Sequence, residues 1–374
     1  MGRALRLATL GVPVGGGGSV PVFLSQNAMG VSWTETDTGN KLTIGANVAI
    51  TGAVTAWTDP RLISPEQARI AGLALFLDVQ VANTNARPIV GWSNATTGGP
   101  TAAVDALAFW SDGFIGYWDG AWLRALVPYV VATDYSLAFV QMSAGCQILI
   151  KGGTFSEWTR LFISRTQTAV MYGSLRASDS AVNSYYDNDA LVLMPSPFNT
   201  AGGGATQALT GAQAEGQAFS HEANCLIEFT LTTRPSADSV LIDFRVQDDD
   251  NKWQIAINST GDIALNEVVS GSVTAQGTAA AKITNGERVV VTADGPVICV
   301  YDSTARLISY DSATNFQTST SGTLKSLGTG GAITGIVTWP RVLSGNALRL
   351  FNLVSSIAVV SLFVYNVFVY ASSL

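Results

Sequence analysis

The chain has 374 residues, of which 13% are charged and 47% hydrophobic, with a formal net charge of −7. That length admits two domains, each with its own core, and the acidic balance supplies no basic stripe to neutralise phosphates, which excludes nucleic acid as the expected partner. A surface this sparsely charged promotes association, so the expected state is a subunit among copies of itself and neighbouring assembly subunits.

Residues 1–24 carry Arg3 and Arg6 and a short apolar run that Pro13 and Gly15–Gly18 interrupt. A secretory signal needs a longer unbroken apolar core, so residues 1–25 read as an N-terminal arm or linker, made flexible by its glycines and able to dock on a neighbouring subunit. From 26 to 195 the pattern predicts a first all-β region. Early strands are expected at Val31–Thr34, Lys41–Ile44 and Val48–Thr51, and Ser64 with Gln67 has the spacing of a capping box for a short helical turn. Strands then follow at Leu73–Val81, Ala106–Trp110, Gly113–Trp118, Trp122–Leu126, Tyr135–Met142 and Gln147–Lys151. Two of the turns, at Asp112-Gly113 and Asp119-Gly120, carry the pair that best signals a tight hairpin.

Apolar content falls over residues 196–208, where Gly202–Gly204 mark an exposed linker. The second all-β region, 209–374, has the clearest alternation in the chain. Trp253, Ile255 and Ile257 form one inward row, Ile263 and Leu265 the next, then Val289 and Val291, then Ile298 and Val300. Polar or glycine breaks separate them at about the spacing of a sandwich, roughly 8–12 residues. The hairpin at Asp134–Lys151 and the one at Asn285–Tyr301 look like diverged copies of one unit.

The run Asn352–Leu374 contains no charge and has the length of a membrane helix. Its Val, Phe and Tyr content, with Asn366 mid-run, favours a closing strand at Val359–Tyr370 over a tail anchor, although periodicity alone does not decide. Cys146, Cys225 and Cys299 lie in apolar strands and read as buried thiols.

At Arg245-Val246-Gln247-Asp248, Asn251-Lys252-Trp253, Asn285–Val291, Val297–Tyr301 and Leu362–Tyr370, the second region resembles concanavalin A-like (laminin-G-like) lectin domains. The first region is similar through its Asp134–Lys151 hairpin, and such pairs look similar to those of phage tail, fibre and virion-surface proteins. The resemblance implies two tandem antiparallel jelly-roll β-sandwiches, often binding carbohydrate and sometimes calcium. It also implies an outward-facing location, on a virion surface or in another extracellular assembly. The family's hydrolases carry E-x-D-x-x-E on one strand, a spacing absent from this sequence, so no enzyme activity is expected.

Three places have functional chemistry. Trp110, Asp112, Tyr117, Trp118, Asp119 and Trp122 combine aromatic faces with carboxylates, as a glycan site needs, although at alternating spacing the aromatics also suit a core or a subunit interface. Asp248, Asp249 and Asp250 offer the oxygen ligands calcium prefers, or simply a solvated hairpin end, and no other cofactor is expected. Glu222 and Glu228 are spaced to share a strand face, as a glycosidase pair or as unpaired polar positions, and the single histidine, His221, lacks the elbow of a hydrolase triad. The expected function is a structural and adhesive subunit with lectin-like domains. A purely architectural subunit and a secreted carbohydrate-active enzyme are the alternatives.

Overall fold

The computed structural model describes residues 21–354 except 27–28, 30–31, 45–47, 51–59, 85–86, 98–99, 119–122, 144, 166–169, 178–183, 195–206, 211–212, 328–329, 344–347, 350 and 353. Among the described residues the strands form four sheets, paired antiparallel throughout. The first runs in the order Phe155–Ser164, Gly145–Gly152, Asp134–Met142, Leu73–Gln80, Ser184–Leu193, Val48–Ile50 and Leu42–Ile44, with Val22–Gln26 also paired to Ser184–Leu193. The second has the order Leu123–Pro128, Phe114–Trp118, Ala103–Phe109, Pro88–Ser93, Val170–Ala177, Arg61–Ile63 and Thr34–Thr36, with Gln67–Ala68 paired to Val170–Ala177. The third is Gln207–Thr210, Ala332–Pro340, Cys225–Thr233, Glu287–Asp294, Val297–Tyr301 and Arg306–Tyr310. The fourth is Gln213–Ser220, Ser321–Ser326, Ser239–Asp248, Asn251–Asn258, Ile263–Val269 and Ser272–Ala279.

This is the all-β, sandwich-type architecture the alternation predicts. The first and second sheets face each other through Leu75, Leu77, Leu107, Phe109, Ile115, Tyr117, Leu137 and Phe139, all buried. The third and fourth do so through Ile227, Phe229, Val289, Val291, Ile242, Phe244, Trp253, Ile255 and Leu265. The three cysteines are free and buried.

The two pairs of sheets are also joined. Leu226, Val290, Cys299, Tyr301, Val337 and Trp339 turn away from their own core and enter the hydrophobic cluster of the first pair. At this seam Glu228 accepts hydrogen bonds from Arg165 at 2.7 and 2.8 Å and from Arg288 at 2.9 Å, while Arg288 also donates to the Ile163 carbonyl at 2.6 Å. Burial works against the Glu228 carboxylate, and the guanidiniums of Arg288 and Arg165 outweigh it, so its pKa lies below the ordinary glutamate value. Residues 341–343 then run antiparallel to the outer edge of Phe155–Ser164. The Arg160 N–H donates to the Arg341 carbonyl at 2.6 Å and the Leu343 N–H to the Trp158 carbonyl at 2.9 Å. Arg341 clamps the join by donating to the carbonyls of Arg160 and Leu161 and to Asp294 at 3.2 Å.

Three expectations change. Residues 22–25, read as part of the arm, belong to a strand in which Val22 opposes Leu193 and Gln26 opposes Ala190. No helical turn starts at Ser64, because its hydroxyl accepts the Gly173 N–H at 2.8 Å and Gln67 enters a strand pair with Met171. The run beginning at Asn352 opens on helical residues, and Leu348, Phe351 and Val354, at i, i+3 spacing, lie on the outer face of the first sheet against Phe76 and Trp158. The closing strand at Val359–Tyr370, the arm over 1–20 and most of the 196–208 linker lie outside the described residues. No helix among the described residues is long and apolar enough to cross a membrane.

Candidate functional site

The aromatic cluster is split by strand parity. In Phe114–Trp118 the residues Ile115 and Tyr117 point into the core, so Trp118 points out. Its register partner is Ala106, the next outward pair is Gly116 with Ala108, and Trp110 follows two residues beyond Ala108. The two indoles therefore flank a pair of very small residues. They lean together over this gap, with ring centroids 6.0 Å apart and planes 25° apart, and pack on Ile89, Ala103, Ala106 and Ala108. Both rings are half-buried, and the Arg87 guanidinium stands 5.3 Å from the Trp110 ring centre, a cation–π distance. This is an outward apolar platform with a cation at its rim.

The other predicted glycan residues fare differently. Tyr117 is a correction, because it is 1% exposed and its hydroxyl donates to buried Asp105 at 3.2 Å. Asp112 is exposed, and one oxygen of its carboxylate accepts the Phe114 N–H at 3.0 Å to close the turn. Asp119 and Trp122 lie outside the described residues.

The acidic loop is not assembled as a metal site. Asp248 accepts from the Asp250 N–H at 3.0 Å and from the Asn251 side chain at 2.8 and 3.0 Å, which ties the hairpin end. Among the described residues no group of three or more Asp, Glu, His or Cys side chains is gathered where an ion would sit. Asp248, Asp249 and Asp250, offered by the sequence either as calcium ligands or as a solvated hairpin end, form the hairpin end, and the amides beside Asp248 bond to its carboxylate.

Glu222 is exposed while Glu228 is buried in the seam, so the pair does not share a cleft, and Glu228, read as an unpaired polar position, is paired with Arg165 and Arg288. His221 bonds to backbone alone. Its Nε2 accepts the Arg245 N–H at 3.1 Å, its Nδ1 faces the Glu222 carbonyl at 2.7 Å, and burial holds its pKa below the ordinary value. Arg245, the first residue of the lectin-like motif, has φ of 48° and fastens the carbonyls of Ala223 and Gly295 at 3.1 and 2.8 Å. Here that motif holds loops together.

Two buried polar groups escaped the sequence reading. Asp105 sits on a bulge with φ of 46°, where Gly91 pairs with Ala106 but Trp92 pairs with Val104. It accepts hydrogen bonds from Ser164 and Tyr117, and burial pushes its pKa up to about 6 against those bonds. On the outer face of the fourth sheet, Thr323, Asp243, Gln254 and Asn266 stand in register across four strands. Asp243 accepts from Gln254 at 2.8 Å, Thr323 at 3.0 Å and Lys252 at 3.0 Å, and Gln254 accepts from Asn266 at 3.3 Å. Polar residues two apart on successive strands were the available signal, but only the register brings them together.

No family model matches the sequence, and no curated protein matches it. Solved structures similar to it include galectin LEC-6 of Caenorhabditis elegans, 12% identical over 34% of this chain and 94% of that one, with a TM-score of 0.28. The carbohydrate binding module CBM66 from Bacillus subtilis is 11% identical over 37% of this chain and 95% of its own, with a TM-score of 0.28. The exoplasmic/lumenal domain of VIP36, in a Ca2+/Man3GlcNAc-bound form, is 10% identical over 44% of this chain and 85% of that one, with a TM-score of 0.33.

Proposed function

We propose that the chain is a non-catalytic structural and adhesive subunit of a virion-type or other extracellular assembly, built as two tandem sandwiches, and that it engages glycan at Trp110 and Trp118. The observation that carries this reading is the outward indole pair. A core role would place both rings between the sheets, whereas Ile115 and Tyr117 occupy that side of the strand. A pyranose presents an apolar face to such a platform and hydroxyls to its rim, where Arg87 lies.

The test is a glycan array probed with wild type and with Trp118→Ala. The ring packs on alanines and isoleucine at the surface, so the variant is expected to fold, as circular dichroism would verify. Binding should weaken at least about tenfold, or ~1.4 kcal/mol. A glycan signal that the substitution leaves intact removes the site.

A purely architectural subunit is the second reading. What favours it is the polar row of the fourth sheet, where Asp243 directs its hydrogen bonds to its own neighbours, an arrangement that rigidifies a sheet. No glycan signal from the folded wild type would leave this reading alone.

A further inference from the structure

An edge strand presents unpaired N–H and C=O groups, and soluble sheets blunt that hazard with charge, proline, brevity or a cover. Most edges of this molecule obey the rule. Phe155–Ser164 is covered by residues 341–343. Leu123–Pro128 contains Arg124 and ends in proline, Gln213–Ser220 contains Glu215, and Arg306–Tyr310 begins with arginine. Leu42–Ile44 and Thr34–Thr36 have three residues each and Gln207–Thr210 has four.

Ser272–Ala279, the last strand of the fourth sheet, does not obey it. It is eight residues long and contains neither charge nor proline, and no charged residue occurs between Glu267 and Lys282. Ser272, Val273, Thr274 and Ala275 are all exposed, Val273 at 61% and the adjoining Val269 at 41%. A bulge at Gln276, whose side chain donates to Glu267 at 2.9 Å, ends this open stretch, and Gly277 beyond it packs on Ile308. Residues 272–275 thus form an uncharged edge that no strand among the described residues pairs with.

We infer that the Ser272–Ala275 edge pairs antiparallel with the same edge of a second copy, continuing the fourth sheet across a two-fold axis. The choice of a copy follows from charge. Around a two-fold both copies bring the same edge, so an edge carrying charge of one sign would face like charges, whereas the uncharged Ser272–Ala275 edge meets no such repulsion. An antiparallel edge is also self-complementary in its hydrogen bonds, since residue i meets j as j meets i. This inference rests on the assembly part of the proposed function and is independent of glycan binding.

The test is sedimentation of the full chain over a dilution series, for wild type, for Val273→Lys with Ala275→Lys, and for Val22→Lys with Leu24→Lys. The last pair probes Val22–Gln26, the other uncharged edge with exposed valine and leucine, which is five residues long with its register interrupted midway. Wild type should reach twice the chain mass or a multiple of it, and the 273/275 variant should drop to half that mass with unchanged circular dichroism. Val273→Cys should give a cross-linked dimer on oxidation. A wild type that stays monomeric at its highest soluble concentration overturns both this pairing and the assembly reading. An oligomer that survives the 273/275 substitutions, or that only the 22/24 substitutions dissociate, overturns the pairing alone.

Discussion

Replacing Glu228 by alanine is expected to destabilise the protein by about 3–5 kcal/mol, since it leaves two guanidiniums in a largely buried seam without their carboxylate. Glu228 holds Arg165 and Arg288 together, and Arg288 reaches across to the Ile163 carbonyl, so one substitution loosens contacts on both sides. The loss should appear in urea unfolding as a shifted midpoint, together with easier proteolysis between the two halves. Glu228→Gln keeps one acceptor oxygen, able to take the Nε–H groups of both Arg165 and Arg288, and should lose less. An alanine variant within about 0.5 kcal/mol of wild type, the range of ordinary surface changes, would mean that the seam contributes little.

The second large effect is one of pH. Asp105 is 2% exposed, and its pKa rises from 3.8 to about 6 through burial. Between those values the folded state holds a proton that the unfolded chain has released. Stability from this group is therefore greatest below about pH 4, falls as pH rises, and levels off above about pH 6, a loss of about 3 kcal/mol at 1.36 kcal/mol per pH unit. Asp105→Asn removes the titration and keeps an oxygen for the Ser164 and Tyr117 hydroxyls. The variant should match wild type near pH 4 and exceed it near pH 7.5, as measured by chemical denaturation at both. His221 slopes the other way in wild type and variant alike: its depressed pKa means stability is lost as pH falls below about 6.5. Only the difference between the two proteins isolates Asp105, and parallel profiles would sink its assignment.

The sandwich architecture was legible because most strands here have one dry face and one wetter one, so Trp253, Ile255 and Ile257 alternate visibly with Gln254 and Ala256. The same alternation separates Trp118 from Tyr117, but a sequence does not say which parity faces the core when both are aromatic. The seam was harder to read. Leu226 beside Ile227, Val290 beside Val291 and Val337 beside Ile336 make strands apolar on both faces, the mark of burial on two sides. Roles that depend on partners distant in the chain, such as those of Asp105, Arg245 and Glu228, carry no local signature. Ser164 lies 59 residues from Asp105 and Arg165 lies 63 from Glu228.

The stitch at residues 341–343 has a temporal side. Phe155–Ser164 is synthesised early, yet the segment that covers it leaves the ribosome well over 100 codons later, after nearly all of the other strands. Through that interval a nascent sheet waits with a bare margin, and closing so long a loop is slow. Fragments ending anywhere before residue 341 should therefore precipitate or occupy chaperones, and full-length yield should improve when translation is fast relative to aggregation of the waiting intermediate.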